Sequence, residues 1–182
     1  EHLHPDSIDL DDQEVYKNIF HDGQWVGVFQ FTENGAQKLA ERAQPTSIVD
    51  ISAITSIYRP GPLSAGVDKA YIKAVQFPDE VDYLNDIVKE VTKETHGFLI
   101  FQEQIAMLAY RLGKDITMDE ANLLRKVLTK KGTGKGHEVK EQIHTKFIEG
   151  CLDKDISRRA AQELWQTFEY FSGYGFNKSH AV

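Results

Sequence analysis

The sequence predicts a mainly α-helical fold with one small extended element near its start, and three observations carry that prediction. Apolar residues recur with a helical period: Ile105, Leu108, Ala109 and Leu112 at i, i+3, i+4 and i+7, and Val139, Ile143 and Phe147 at every fourth position. Helix-capping residues stand directly ahead of the periodic stretches. Strand-like apolar runs are confined to residues 25–31 and 98–101.

The elements follow in order. Asp11 and Asp12 precede a helix and suit its N-terminus, where a carboxylate meets free N–H groups and the positive end of the dipole. Thr32 and Ser47 are placed to cap helices ending near Ala43 and Tyr58, separated by Pro45. Arg59-Pro60-Gly61-Pro62 ends the second of these, because proline fixes φ and biases the preceding residue away from the helical region. Arg59 is thereby held at a rigid helix end, where a guanidinium can fork onto phosphate or carboxylate oxygens. Gln102-Glu103-Gln104 follows the run 98–101 and opens the helix of Ile105 and Leu108; its amides suit either a buried positioning role or a plain surface helix start. Thr117 and Glu120 form a capping box for a helix through Leu123, Leu124 and Val127, ending near Lys130. Ser157 caps a helix whose apolar stripe is Ala161, Leu164, Trp165, Phe168 and Phe171. Gly173 and Gly175 break that helix, and Asn177 caps a new one with Lys178, Ser179 and His180 in its first turn, a place that favours an anion. Residues 59–66 and 130–137 read as linkers.

The composition, 41% apolar and 27% charged over 182 residues, is that of a globular chain able to bury a core. A single cysteine excludes an internal disulfide framework and fits a reducing compartment, the cytoplasm; no apolar run is long enough for a membrane helix. The start at Glu1 and the stop at Val182, just as a helix begins, lead us to expect a piece of a larger protein. Net charge is -7, but it is segregated. Residues 1–24 hold seven acids against Lys17, whereas residues 123–146 hold Arg125, Lys126, Lys130, Lys131, Lys135, Lys140 and Lys146 against Glu138 and Glu141. Local positive potential governs phosphate affinity more than global charge does, and this segment surrounds a glycine-rich break at Gly132, Gly134 and Gly136.

Several chemistries fail on spacing. Gly134-Lys135 has Thr129 where a phosphate-binding loop needs its first glycine and Gly136 where it needs a hydroxyl. No histidine or cysteine pair has zinc-finger or metalloprotease spacing. Asp6, Asp9, Asp11 and Asp12 are better explained as helix-start acids than as magnesium ligands.

Five motifs in register resemble the fingers region of the family C bacterial replicative DNA polymerases: Gly27-Val28-Phe29-Gln30-Phe31; Arg59-Pro60-Gly61-Pro62 with Gly66, Asp68 and Tyr71; Gln102-Glu103-Gln104; Leu124-Arg125-Lys126 with Lys130-Lys131; and the block from Gly173 to Ala181. The resemblance implies a helical fingers domain over residues 32–182, truncated at its C-terminus, with residues 1–31 as a palm-proximal lead-in. It implies template-directed DNA synthesis from deoxynucleoside triphosphates, with two magnesium ions on palm aspartates that this chain lacks, so that the fragment alone is expected to be inactive and to bind no cofactor itself. Arg59, Arg125, Lys126, Lys130, Lys131 and Lys178 would then lie on or near the triphosphate or the DNA backbone. Tyr174, Phe176, Asn177, Ser179 and His180 would line the pocket for sugar and nascent base pair. Partners implied are primer–template DNA, the incoming nucleotide, the palm and remaining polymerase domains, and a sliding clamp, with no membrane. Arg59 and the C-terminal block are expected on one cleft.

Departures from the family pattern, notably Gly132 after the lysine pair, His96 before Gly97 and Thr32 in place of a common acid, suit a divergent lineage such as a bacteriophage polymerase. Two other classes stay open on the residues alone. A helical DNA-binding module would bind DNA salt-dependently and ignore nucleotides. A protein-interaction domain would use an exposed apolar face and be indifferent to charge reversal at Lys130 and Lys131.

Overall fold

The structure, a computed structural model, describes residues 4–128, 134–172 and 175–182. Lys130, Lys131 and Tyr174 of the candidate set lie outside those residues. The chain forms two compact units, one of residues 1–77 with 181–182 and one of residues 78–180.

In the first unit, Asp12 caps α1 (Gln13–Val15) by accepting the Glu14 amide at 3.0 Å. The chain then widens through Tyr16–His21, where the Asp22 amide reaches back five residues to the Lys17 carbonyl at 2.9 Å. That bulge turns Tyr16 and Phe20 into the core. The helices α2 (Asn34–Ala43), α3 (Ile48–Ile57), α4 (Pro60–Ser64) and α5 (Val67–Gln76) complete the unit. Their buried faces carry Ala36, Leu39, Ala40, Ile54, Ile57, Tyr71 and Ile72.

Three expectations are corrected here. Residues 25–31 are not a strand: Gly27 and Gln30 adopt φ of +81° and +65°, and the Val28 and Phe31 amides close turns on the carbonyls of Trp25 and Val28. Ring packing outweighs the local apolar pattern, for Trp25 stacks on Phe31 at 5.5 Å and both meet the edge of Phe20. The cap of α2 is Glu33 rather than Thr32, and no side chain closes it; the Gln37 side-chain Nε2 instead donates to the Phe31 carbonyl at 2.7 Å. Residues 59–66 are not an open linker, because Pro60 takes the first position of α4, where its missing N–H costs nothing. Ser47 does cap α3, accepting the Asp50 amide at 3.1 Å.

The second unit is built on α6 (Asp86–Thr92), α7 (Gln102–Leu112), α8 (Met118–Val127), α9 (Lys135–Leu152) and α10 (Arg158–Ser172), followed by the single turn α11 (Lys178–Ala181). The predicted stripes converge in one core: Ile105, Leu108, Ala109 and Leu112 of α7 meet Leu124 and Val127 of α8, Ile143 and Phe147 of α9, and Ala161, Trp165 and Phe168 of α10. Phe147, Trp165 and Phe168 lie 5.2–5.9 Å apart as a tilted trio. The Thr117–Glu120 capping box forms as predicted, and Ser157 accepts the Ala160 amide to open α10. The run 98–101 forms no strand; Phe101 makes an isolated parallel bridge to Phe176.

Cys151 is buried in α9, and burial pushes its thiol up to about 11 against the opposing pull of Lys154. Only the thiolate attacks an alkylating agent. Iodoacetamide at pH 8 is therefore expected to leave Cys151 intact in the folded chain and to label it fully in denaturant; native labelling at the rate of an exposed thiol would mean that α9 does not pack as described.

Candidate functional site

Three consecutive residues at the start of α7 organise the candidate site, all within the second unit. Gln104 is buried, and both ends of its amide are used. Its Oε1 accepts the Ile100 and Phe101 amides at 2.9 and 3.0 Å, and its Nε2 donates to the Val91 carbonyl at 3.2 Å and to the Thr95 hydroxyl oxygen at 2.7 Å. One side chain thus ties the end of α6, the turn Lys93–Thr95 and the run 98–101 to the helix start. A buried amide with this many partners rigidifies what it joins.

Gln102 acts through its backbone. Its amide donates to the Phe176 carbonyl at 2.9 Å, and the Phe176 amide donates to the Ile100 carbonyl at 3.0 Å. This pairing pins the C-terminal segment beside the start of α7. Asn177 then caps α11, its Oδ1 accepting the His180 amide at 3.1 Å, as the sequence predicts.

Glu103 joins two further segments. Its Oε1 accepts from Arg125 Nη1 at 3.4 Å, and its Oε2 accepts the Lys178 amide at 3.1 Å. The first-turn amide of α11, expected to attract an anion, is met by a carboxylate of the chain itself. The Lys178 ammonium is likewise engaged: Nζ donates to both oxygens of Glu94 at 2.7 and 2.8 Å and sits 5.6 Å from the centre of the Phe101 ring.

Of the predicted site residues, the structure brings together Arg125, Phe176, Asn177 and Lys178 around Glu103. Ser179 and His180 are exposed on the same turn, the His180 ring 5.5 Å from Phe176. Lys126 is exposed on α8. Arg59 belongs to the first unit, half-buried at the extended position before Pro60. The basic segment is partly neutralised from within: Lys140 pairs with Glu169 at 2.5 Å and Lys146 with Glu120 at 2.6 Å. The Lys146 ammonium, followed by the Thr117 amide, holds the Glu120 carboxyl below the ordinary range. Sequence reasoning missed Glu94 altogether, since nothing local marks a residue whose partner stands 84 positions away. It quoted Glu103 only as part of a motif, and that motif was the available signal.

Among the described residues, no group of three or more histidine, cysteine, aspartate or glutamate side chains comes together to hold a metal ion. No described helix is long and apolar enough to cross a membrane.

A family model of the bacterial DNA polymerase III alpha subunit finger domain matches residues 1–155. The chain is 36% identical over 175 residues to the DNA polymerase III subunit alpha of Aquifex aeolicus, covering 96% of this chain and 15% of that protein. The corresponding subunits of Campylobacter jejuni and Bacillus subtilis are each 32% identical, over 177 and 179 residues, covering 97% of this chain and 14% and 15% of theirs. The chain therefore spans about 15% of the length of the relatives it matches. Because that model matches residues 1–155 and these relatives align with nearly the whole chain, the chain belongs to the finger-domain family of the bacterial DNA polymerase III alpha subunit.

Proposed function

We propose that this chain forms the fingers of a complete replicative DNA polymerase and there holds the incoming deoxynucleoside triphosphate and adjacent DNA during template-directed synthesis. The observation that carries this reading is the convergence of Arg125, Lys178, Asn177 and Phe176 on the start of α7: two basic residues on Glu103, one through its guanidinium and one through its backbone amide, with a capped helix turn and Phe176 held by backbone pairing. Cations can neutralise phosphate, and aromatic faces can pack on sugar or base. Arg59, Lys126, Lys130 and Lys131 add positive charge for the triphosphate or the DNA backbone, and Tyr174, Ser179 and His180 complete the pocket side.

Palm aspartates outside this chain carry the two magnesium ions and the chemistry, so the fragment alone makes no DNA. Its partners are the palm and remaining polymerase domains, primer–template DNA, the nucleotide and a sliding clamp, in the cytoplasm.

The test is primer extension by the complete polymerase at varied deoxynucleotide concentration, comparing wild type with Lys178→Ala and Arg59→Ala. A hydrogen bond to a charged group contributes about 1.5–3 kcal/mol, so loss of either contact is expected to raise the nucleotide KM roughly tenfold or more. Unchanged KM and turnover in both variants would refute the assignment of these residues to the nucleotide.

A further inference from the structure

The contacts of Lys178 create a conflict that the proposed function must resolve. If its ammonium serves a phosphate, the place is already taken: Glu94 holds Nζ through both oxygens, and Glu103 holds the backbone amide of the same residue. Two carboxylates stand where two phosphate oxygens would. Neither is incidental to the fold. Glu94 lies in the turn Lys93–Thr95, which Thr95 fixes by accepting from the buried Gln104 amide and by donating its hydroxyl within the turn, where the Thr92 and Phe98 carbonyls lie at 3.1 and 2.6 Å. Glu103 is held between α8 and α11 by Arg125 and the Lys178 amide.

The two differ in what releasing them would break. Glu103 bridges separate segments, so its loss would loosen the site. Glu94 meets Lys178 through side chains alone, both about one-third exposed (38% and 31%), so this pair opens without disturbing backbone.

Resting on the reading of Lys178 as a phosphate contact, we propose that Glu94 sets the affinity of the fingers for phosphate by acting as the resident counter-ion of Lys178. A phosphate oxygen reaches the ammonium by displacing the Glu94 carboxylate, and the carboxylate closes back on Lys178 when the phosphate leaves. Glu94 thereby lowers affinity and hastens release, and Phe101 beneath the ammonium keeps Lys178 in place during the exchange.

An ion pair about one-third exposed is worth up to about 1 kcal/mol, which converts to a roughly three- to fivefold change in affinity. The experiment compares the complete polymerase as wild type, Glu94→Gln, Lys178→Ala and the double variant, reading nucleotide KM in primer extension and primer–template Kd without nucleotide. Glu94→Gln is expected to tighten one of these by about that factor, and the effect is expected to vanish in the Lys178→Ala background. Tightening of KM identifies the triphosphate as the phosphate source, and tightening of Kd identifies the DNA backbone. If Lys178→Ala weakens binding while Glu94→Gln leaves both constants unchanged or weakens them, the counter-ion proposal is overturned and the phosphate role of Lys178 survives. If Lys178→Ala changes neither constant, both readings fall. A thermal melt of Glu94→Gln within a degree or two of wild type confirms that the comparison reports binding rather than folding.

Discussion

Gly150→Ala is expected to destabilise the protein by about 1–2 kcal/mol, even though alanine is the better helix former. Gly150 is buried in α9 where that helix crosses the end of α7. A Cβ built there would land on the Leu112 carbonyl oxygen, the Gly113 carbonyl carbon and the Lys114 amide nitrogen. Those atoms are backbone, so no rotamer change relieves the overlap, and the helices must separate. Overpacking of this kind costs about 1–3 kcal/mol. Separation also strains the Lys114 amide bond to the Lys146 carbonyl, 2.9 Å, and the Lys154 ammonium contact to the Leu112 carbonyl, 3.2 Å. Helix propensity returns at most about 1 kcal/mol. For a chain of this size the net loss corresponds to a fall in Tm of about 2–8 °C, read by calorimetry or circular dichroism. A Tm equal to or above wild type would show that the two backbones do not meet.

Gln104→Leu is expected to cost more, about 3–5 kcal/mol. The volume is nearly kept, but the Ile100 and Phe101 amides, the Val91 carbonyl and the Thr95 hydroxyl oxygen all lose a partner in a buried place. Each buried group left unsatisfied costs about 1–3 kcal/mol. The same substitution frees the turn that carries Glu94 and the strand-like run that pins Phe176, so in the complete polymerase the nucleotide KM is expected to rise as well. Urea denaturation of the Leu and Ala variants separates the two contributions: if the lost hydrogen bonds dominate, both variants fall by similar amounts, whereas a far smaller loss for Leu would assign the effect to packing volume.

Helix positions were legible because their signals are local. The stripe of Ile105, Leu108, Ala109 and Leu112, the Thr117–Glu120 box and the caps at Ser47, Ser157 and Asn177 lie within a few residues of the groups they satisfy, and the structure places them as predicted. Residues 25–31 misled because their apolar pattern is also what an aromatic cluster needs. The choice between strand and turns was made by Phe20, whose ring packs on Trp25 and Phe31. Thr32 misled by one position because Glu33 starts α2 without any side-chain cap, so no local chemistry marks the boundary.

The candidate site divides along the same line. From residue types and spacing came a mainly helical chain, its core faces and a capped turn at Lys178, since periodicity and capping are properties of neighbours in sequence; the family came from the resemblance of its contiguous motifs to those of known polymerases. Only the tertiary structure decided that Gln104 is buried rather than on the surface, that Gln102 pairs with Phe176, and that Glu94 and Glu103 occupy the side chain and amide of Lys178. These are contacts across as many as 84 residues, and electrostatic and hydrogen-bond partners over such separations are chosen by packing, which brings the end of α6, the start of α7 and the C-terminal turn together.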